Sequence, residues 1–259
     1  MTVGDALSLA TRRLAAAGVP DPSWNAELLL RHVLGWDRGA LVAREREGLA
    51  AEQEARFLSL VAERAARRPL QHLTGVQAFY GRDFAVTPDV LIPRPETEVL
   101  VEAALAALPA GQPAVVVDVG TGTGCIALTL AAERPSVEVH AVDISHAALE
   151  VARDNARRLG LESRVRFYQG DLTTPLRDMV RSVDLVVSNP PYVDPADLAG
   201  LMPEVRDHEP RLALVPVPDA PRMYRRLAAG ARRMLRPGGT LLLEVGQGMA
   251  DEVPRNAFV

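Results

Sequence analysis

The run Asp118-Val-Gly-Thr-Gly-Thr-Gly124 has the residue types needed to hold a ligand directly on main chain. It follows the apolar run Val115–Val117 and precedes Cys125–Leu128, so its glycines mark the turn from a strand into a helix. Gly120, Gly122 and Gly124 lack the β-carbons that would keep a ligand off the backbone, and the helix N-terminus beyond them offers free N–H groups. With Asp118, Thr121 and Thr123, they form a candidate cofactor loop. Asp143 ends the expected second strand, Val139-His-Ala-Val-Asp143, 19 positions after Gly124, where a carboxylate can accept hydrogen bonds from both hydroxyls of a ribose. Asp171, followed by Leu172, stands after a third apolar run and is placed to accept from an adenine amino group. Taken singly, each glycine reads as a tight turn and each aspartate as a helix cap. Repeated on successive strand ends, they point to an adenosine-type cofactor. A dinucleotide fingerprint wants Gly-x-Gly-x-x-Gly, and here Cys125 sits where its third glycine would be.

The Asp-x-Gly-x-Gly-x-Gly form resembles the class I S-adenosylmethionine methyltransferases, which implies S-adenosylmethionine in place of NAD. Ser188-Asn-Pro-Pro-Tyr192 then acquires a chemical meaning, because it follows the run Val183–Val187 at the same sheet edge. Pro190 and Pro191 lock the backbone, while Asn189 offers both a carbonyl oxygen and an amino group beside the cofactor. An amide nitrogen is a poor nucleophile, because its lone pair is delocalised and must be turned toward the methyl group. The Asn189 side-chain oxygen and the Pro190 carbonyl are candidates to accept the two N–H bonds of a planar NH₂ group, with Tyr192 against its plane. Such a reaction needs positioning more than a strong base.

The elements that must position these residues are legible as patterns. From Val3 to about Arg68 apolar residues recur at three- and four-residue steps, broken at Gly18-Val19-Pro20 and Gly35, which predicts a small helical domain over 1–70. Residues 71–95 are β-prone, carry Gly81 as a turn and predict a hairpin linker. A helix is predicted from about Glu96 to Leu108, and strands and helices alternate beyond Pro113. The last strand is expected at Thr240–Val245, after a turn at Arg236–Gly239. The fold class is therefore α/β, a Rossmann-like, mostly parallel, doubly wound sheet occupying 96–259.

All 29 basic residues are arginine, and 33 acids leave a net charge of −4, which argues against a broad nucleic-acid-binding surface. One cysteine excludes an internal disulfide and a multi-cysteine zinc site. His32, His72, His140, His146 and His208 lack metal-ligand spacing, so no metal is expected. With no run of 18 apolar residues and no leader pattern after Met1, the sequence predicts a cytoplasmic, soluble protein, and a monomer is expected.

Five segments together resemble the HemK-type (PrmC) glutamine-N5 methyltransferases, which modify the Gly-Gly-Gln motif of peptide chain release factors. They are Pro69–Gly75, Leu91-Ile-Pro-Arg-Pro-Glu-Thr-Glu98, Asp118–Leu128, Ser188–Tyr192 and Glu209-Pro-Arg-Leu-Ala-Leu214. The resemblance implies a release-factor partner, an N-terminal domain that helps dock it, and a 91–98 segment, including Arg94 and Glu96, that covers the cofactor and shapes the glutamine pocket. Asn-Pro-Pro-Tyr is also found in adenine-N6 and guanine-N2 nucleic-acid methyltransferases, so a base methyltransferase is the first alternative and an idle cofactor-binding protein the second. The sequence departs from the family in two places. Val215–Pro221 replaces a glycine-rich stretch and keeps only Asp219, and the sequence runs 13 residues past Gly246 where relatives continue through a closing antiparallel strand pair. An open sheet edge is therefore expected.

Overall fold

The computed structural model describes residues 1–246, arranged as two compact units. The first comprises Met1–Gly75 together with Met202–His208. It contains α1 (Val3–Ala16), α2 (Pro22–Leu34), α3 (Arg38–Ala43), α4 (Ala51–Ala65) and α5 (Leu70–Thr74). Thr2 caps α1 through a reciprocal pair with Asp5, and Gly35 ends α2 in the left-handed conformation. Val3, Ala6, Ala10 and Leu14 of α1 meet Ala26, Leu29 and Leu30 of α2 and Phe57 and Val61 of α4, which is the 3–4 spacing turned inward. Helix α5 lies where the sequence reading set a β-prone linker. Pro69 at its N-cap and Gly75, with a φ of 76° at its C-cap, bracket a single helical segment that local β propensity did not reveal.

The second unit opens with a hairpin, β1 (Val76–Phe79) and β2 (Arg82–Ala85), in antiparallel register. Tyr80 and Gly81 both take positive φ at its tip, as a two-residue primed turn requires. Then come α6 (Thr97–Ala107), β3 (Ala114–Val119), α7 (Cys125–Glu133), β4 (Val137–Asp143), α8 (His146–Arg158), β5 (Val165–Gln169) and β6 (Val183–Ser188). A short α9 (Pro203–His208) belongs to the first unit, and α10 (Arg211–Leu214), α11 (Ala220–Met234) and β7 (Leu235–Leu243) complete the described chain.

The five strands form a parallel sheet in the order β5-β4-β3-β6-β7. One face buries Val116, Val139, Ala141, Leu185 and Val187 under Leu100, Ile126, Leu128 and Leu130. The other buries Val117, Val119, Val142 and Val186 under Leu227, Ala231 and Met234 of α11. Helices on both faces make the sheet doubly wound. Because the chain winds outward from β3 in one direction and then restarts at β6 on its other side, a crevice opens at the carboxyl ends of β3 and β6.

Strand β7 begins earlier than the sequence suggested. Leu235 already pairs with Val183, the next pair joins Leu185 to Thr240, and residues 236–239 form an irregularity inside the strand. Among the described residues β7 is an edge strand, and the expected missing strand pair lies outside them. No described helix is long and apolar enough to cross a membrane.

Candidate active site

A cleft of about 300 Å³ opens at the carboxyl ends of β3, β4 and β6, lined by Gly120 through Thr123, Asp143, Gly170 through Leu172, and Ser188 through Pro191. Strand register sets the meeting of the two motifs, since Val119 pairs with Ser188 and the Ser188 hydroxyl donates to the Val119 carbonyl at 2.6 Å. A β-carbon built on Gly120 would stand 3.9 Å from the Asn189 carbonyl oxygen. The glycine loop and the Asn-Pro-Pro segment are thus neighbours on one rim.

Within the loop, Gly122 has a φ of 53° and nothing within 4 Å of a built β-carbon, so its surface is open to the cleft. Gly124, with a φ of 80°, faces inward, where a β-carbon would meet Leu128 Cδ1 at 3.0 Å. Asp143 braces the loop from the neighbouring strand: its Oδ2 accepts from the Gly122 N–H at 2.9 Å and its Oδ1 from the Ser145 N–H at 2.9 Å. Burial pushes the Asp143 carboxyl above the usual carboxylate range against those two amide donors. Each of its oxygens retains a second lone pair for a ligand hydroxyl.

Asp118 is wholly buried and does not line the cleft. Its Oδ2 accepts from the Thr121 hydroxyl at 2.7 Å, so it shapes the loop from behind. Burial pushes its carboxyl up to about 7, while the Thr121 bond opposes the shift. Gly124 is likewise behind the cleft surface, as the N-cap of α7. The Cys125 thiol is pushed up to about 12 by burial, which leaves no thiolate nucleophile here.

On the acceptor side Asn189, Pro190 and Pro191 line the cleft. Tyr192 does not; it is half-buried and packs against Ala220 and Tyr224. Burial and the nearby Glu244 carboxylate push its phenol above the ordinary tyrosine value. The Asn189 side-chain nitrogen donates to Thr97 Oγ1 at 3.2 Å.

Residues 5–75 match the family described as PrmC N-terminal domain, and residues 96–202 match the one described as methyltransferase small domain. The release factor glutamine methyltransferase of Moorella thermoacetica is 50% identical over 98% of this chain and 88% of that protein. Proteins of the same description from Cereibacter sphaeroides and Deinococcus radiodurans are 48% and 46% identical, over 95% and 99% of this chain and 86% and 88% of theirs. The chain belongs to the release factor glutamine methyltransferase family.

Arg94 lines the cleft, but its guanidinium is already engaged. Its Nη2 lies 2.7 Å from both carboxylate oxygens of Glu209, whose side chain is 1% exposed. The pair staples the 91–98 segment to the 209–214 segment, and Glu209, held above the usual range by burial despite Arg94, went unassigned in the sequence. Glu96 is exposed at the head of α6 and does not line the cleft. Asp171 and Leu172 do line it, with Leu172 in the left-handed region at a φ of 51°. The Asp171 carboxylate pairs with Arg226 of α11, a cleft residue that no motif announces. Leu212 and Ala213, with Val215 and Val217 from the stretch where the sequence departs from the family pattern, add an apolar wall. Thr97 and Glu244, joined across 147 positions, were also missed.

Proposed function

We propose that this chain transfers the methyl group of S-adenosylmethionine to the side-chain amide nitrogen of the glutamine in the Gly-Gly-Gln motif of peptide chain release factors. The names of its relatives support this substrate, and one observation on this chain carries the reading: the Gly120 loop and Asn189 end neighbouring strands, with 3.9 Å between a built Gly120 β-carbon and the Asn189 carbonyl. The residues fit the donor. Gly122 leaves space for a ligand on main chain, Asp143 keeps a free lone pair on each oxygen for ribose hydroxyls, and Ile144, 49% exposed, gives a base an apolar surface. Asp171, half-exposed and paired with Arg226, lines the cleft where an adenine amino group would find an acceptor.

The donor supplies an electrophilic methyl carbon; nitrogen bonds to it as the carbon–sulfur pair withdraws to sulfur, and the proton lost from nitrogen passes to water. Asn189 Oδ1 and the Pro190 carbonyl accept the two N–H bonds of the glutamine amide and turn its lone pair out of conjugation. Pro190 and Pro191 hold that geometry without an ordering cost at each turnover. Tyr192 stays protonated and braces the loop from Tyr224. In this proposal residues 1–70 dock the release factor, 71–95 link, and 96–259 carry the chemistry, in a cytoplasmic monomer.

The test is to incubate the protein with radiolabelled S-adenosylmethionine and either a release factor or total RNA. Label on the release factor is expected. Label on RNA would replace the proposal with base methylation, and label on neither would leave a donor-binding protein without this activity.

A further inference from the structure

An asparagine side chain can face a substrate with either end, and the two ends recognise opposite partners: the oxygen takes an N–H, the NH₂ takes a carbonyl or carboxylate. In this cleft one end is tied back. Asn189 Nδ2 donates to Thr97 Oγ1 at 3.2 Å, and Thr97 Oγ1 donates to Glu244 Oε2 at 2.8 Å. Thr97 is 3% exposed. Glu244 is held by its own main chain, its N–H donating to the Ser188 carbonyl at 3.0 Å and its carbonyl accepting from the Tyr224 hydroxyl at 3.2 Å. The first anchor, Ser188, ends β6 directly before Asn189, and the second comes from α11.

The direction of the chain follows from counting hydrogens. A hydroxyl has one, and an ionised carboxylate has none to give. Once Thr97 gives its hydrogen to Glu244, its oxygen can only accept, so the NH₂ end of Asn189 must be on that side. Among the described residues none donates to Asn189 Oδ1, which is left as the free end.

Resting on the function proposed above, we propose that Glu244 and Thr97 are positioning residues that lock the Asn189 carboxamide with its oxygen toward the acceptor, making the site selective for a primary amide over a carboxylate. A glutamine NH₂ finds an acceptor there. A glutamate oxygen, or an asparagine locked the other way round, would place like poles together. Glu244 sits amid Glu96, Arg94 and the two phenols of Tyr192 and Tyr224, and burial raises its carboxyl above the usual range, while the bond from Thr97 opposes that rise.

The test uses the full chain. Thr97→Val keeps the shape and removes the hydroxyl; kcat on a release factor should fall at least about tenfold, the factor that about 1.4 kcal/mol represents. S-adenosylmethionine affinity by calorimetry should stay within about twofold, and Thr97→Ser should recover most of kcat, since only the hydroxyl is asked for. Glu244→Gln, which can give as well as take a hydrogen, should lower kcat likewise and serves if the valine variant does not fold. Wild-type turnover in both variants, or a serine variant as slow as the valine, overturns the relay. A second readout is independent of activity. The chain has four asparagines, so ¹⁵N-asparagine labelling gives a sparse spectrum of side-chain amides. The Asn189 pair, identified by its loss in Asn189→Ala, should exchange slowly in the wild type and faster in Thr97→Val. Fast exchange in the wild type refutes the relay even if the release factor is methylated. An inactive wild type with a protected amide refutes the proposed substrate and leaves the relay standing.

Discussion

Gly122 and Gly124 are two residues apart in one loop, and the structure assigns them opposite duties that alanine substitution separates. Both have positive φ, so each alanine incurs about 1–2 kcal/mol for a left-handed β-carbon, less about 0.4–1 kcal/mol from a stiffer unfolded chain. At Gly122 nothing stands within 4 Å of the new methyl, so the fold loses only that difference. For a chain of this length a net loss of about 1 kcal/mol lowers Tm by roughly 2–4 °C. At Gly124 the methyl meets Leu128 Cδ1 at 3.0 Å and the Ala152 β-carbon at 3.3 Å, inside a packed helix–sheet layer. Overpacking there adds about 1–3 kcal/mol, for a Tm drop of roughly 5–15 °C. Ligand binding should run the other way. The Gly122 methyl enters the cleft where the donor would lie on main chain, so affinity for S-adenosylmethionine should fall at least about tenfold, or about 1.4 kcal/mol. Gly124→Ala, below its lowered Tm, should bind within about threefold of wild type, because its methyl points away from the cleft. Thermal unfolding followed by calorimetric titration of the three proteins gives both numbers. A Gly122→Ala protein that binds the donor normally would refute the placement of the donor on this loop.

Two further outcomes follow from the same geometry. Asp143→Ala removes the acceptor for the Gly122 and Ser145 N–H groups and for the ribose, so donor affinity should drop by roughly 1.5–3 kcal/mol, read by calorimetry; unchanged affinity would remove Asp143 from the site. In the first unit, burial would raise the Glu204 carboxyl, but bonds from Arg67 at 2.7 Å and Arg64 at 2.9 Å outweigh it and hold it at about 2, against an ordinary value of 4.5. A depressed carboxylate stabilises above its unfolded value and loses that contribution as pH falls through the folded one, so the window runs from about pH 4.5 down to about 2. The shift corresponds to roughly 3 kcal/mol at most. Wild type should therefore lose its stability advantage over Glu204→Gln across that window in urea melts, and a constant difference would contradict the assignment.

Much of the second unit was legible because its signals are local. The apolar runs at Val115–Val117 and Val183–Val187 are bounded by turn residues, and the glycine loop and Asn-Pro-Pro both lie directly on strand ends, so the sheet order alone brings them together. Gly81 marked the hairpin for the same reason, although Tyr80, which shares the turn, did not. What could not be read is what depends on distant partners. Glu244 becomes part of the site only because β7 pairs with β6, and Glu204 joins the first unit from 137 positions beyond Arg67. Asp118 looked like a ligand contact because its spacing fits one, yet the strand turns it into the core, where it holds Thr121. Tyr192 is adjacent to cleft residues in sequence but packs against Ala220 and Tyr224, partners from a helix about 30 positions further on that no local pattern announces.

The central claim is that Asn189 serves the acceptor nitrogen and not the donor. Single-turnover methyl transfer from saturating S-adenosylmethionine to a release factor, with the modified glutamine located by mass spectrometry, tests it directly in Asn189→Ala. Transfer should be slowed by about 10²–10³, as when one aimed polar group is removed from a reaction centre, with donor affinity close to wild type. Transfer at the wild-type rate, or a loss explained wholly by weaker donor binding, would contradict it.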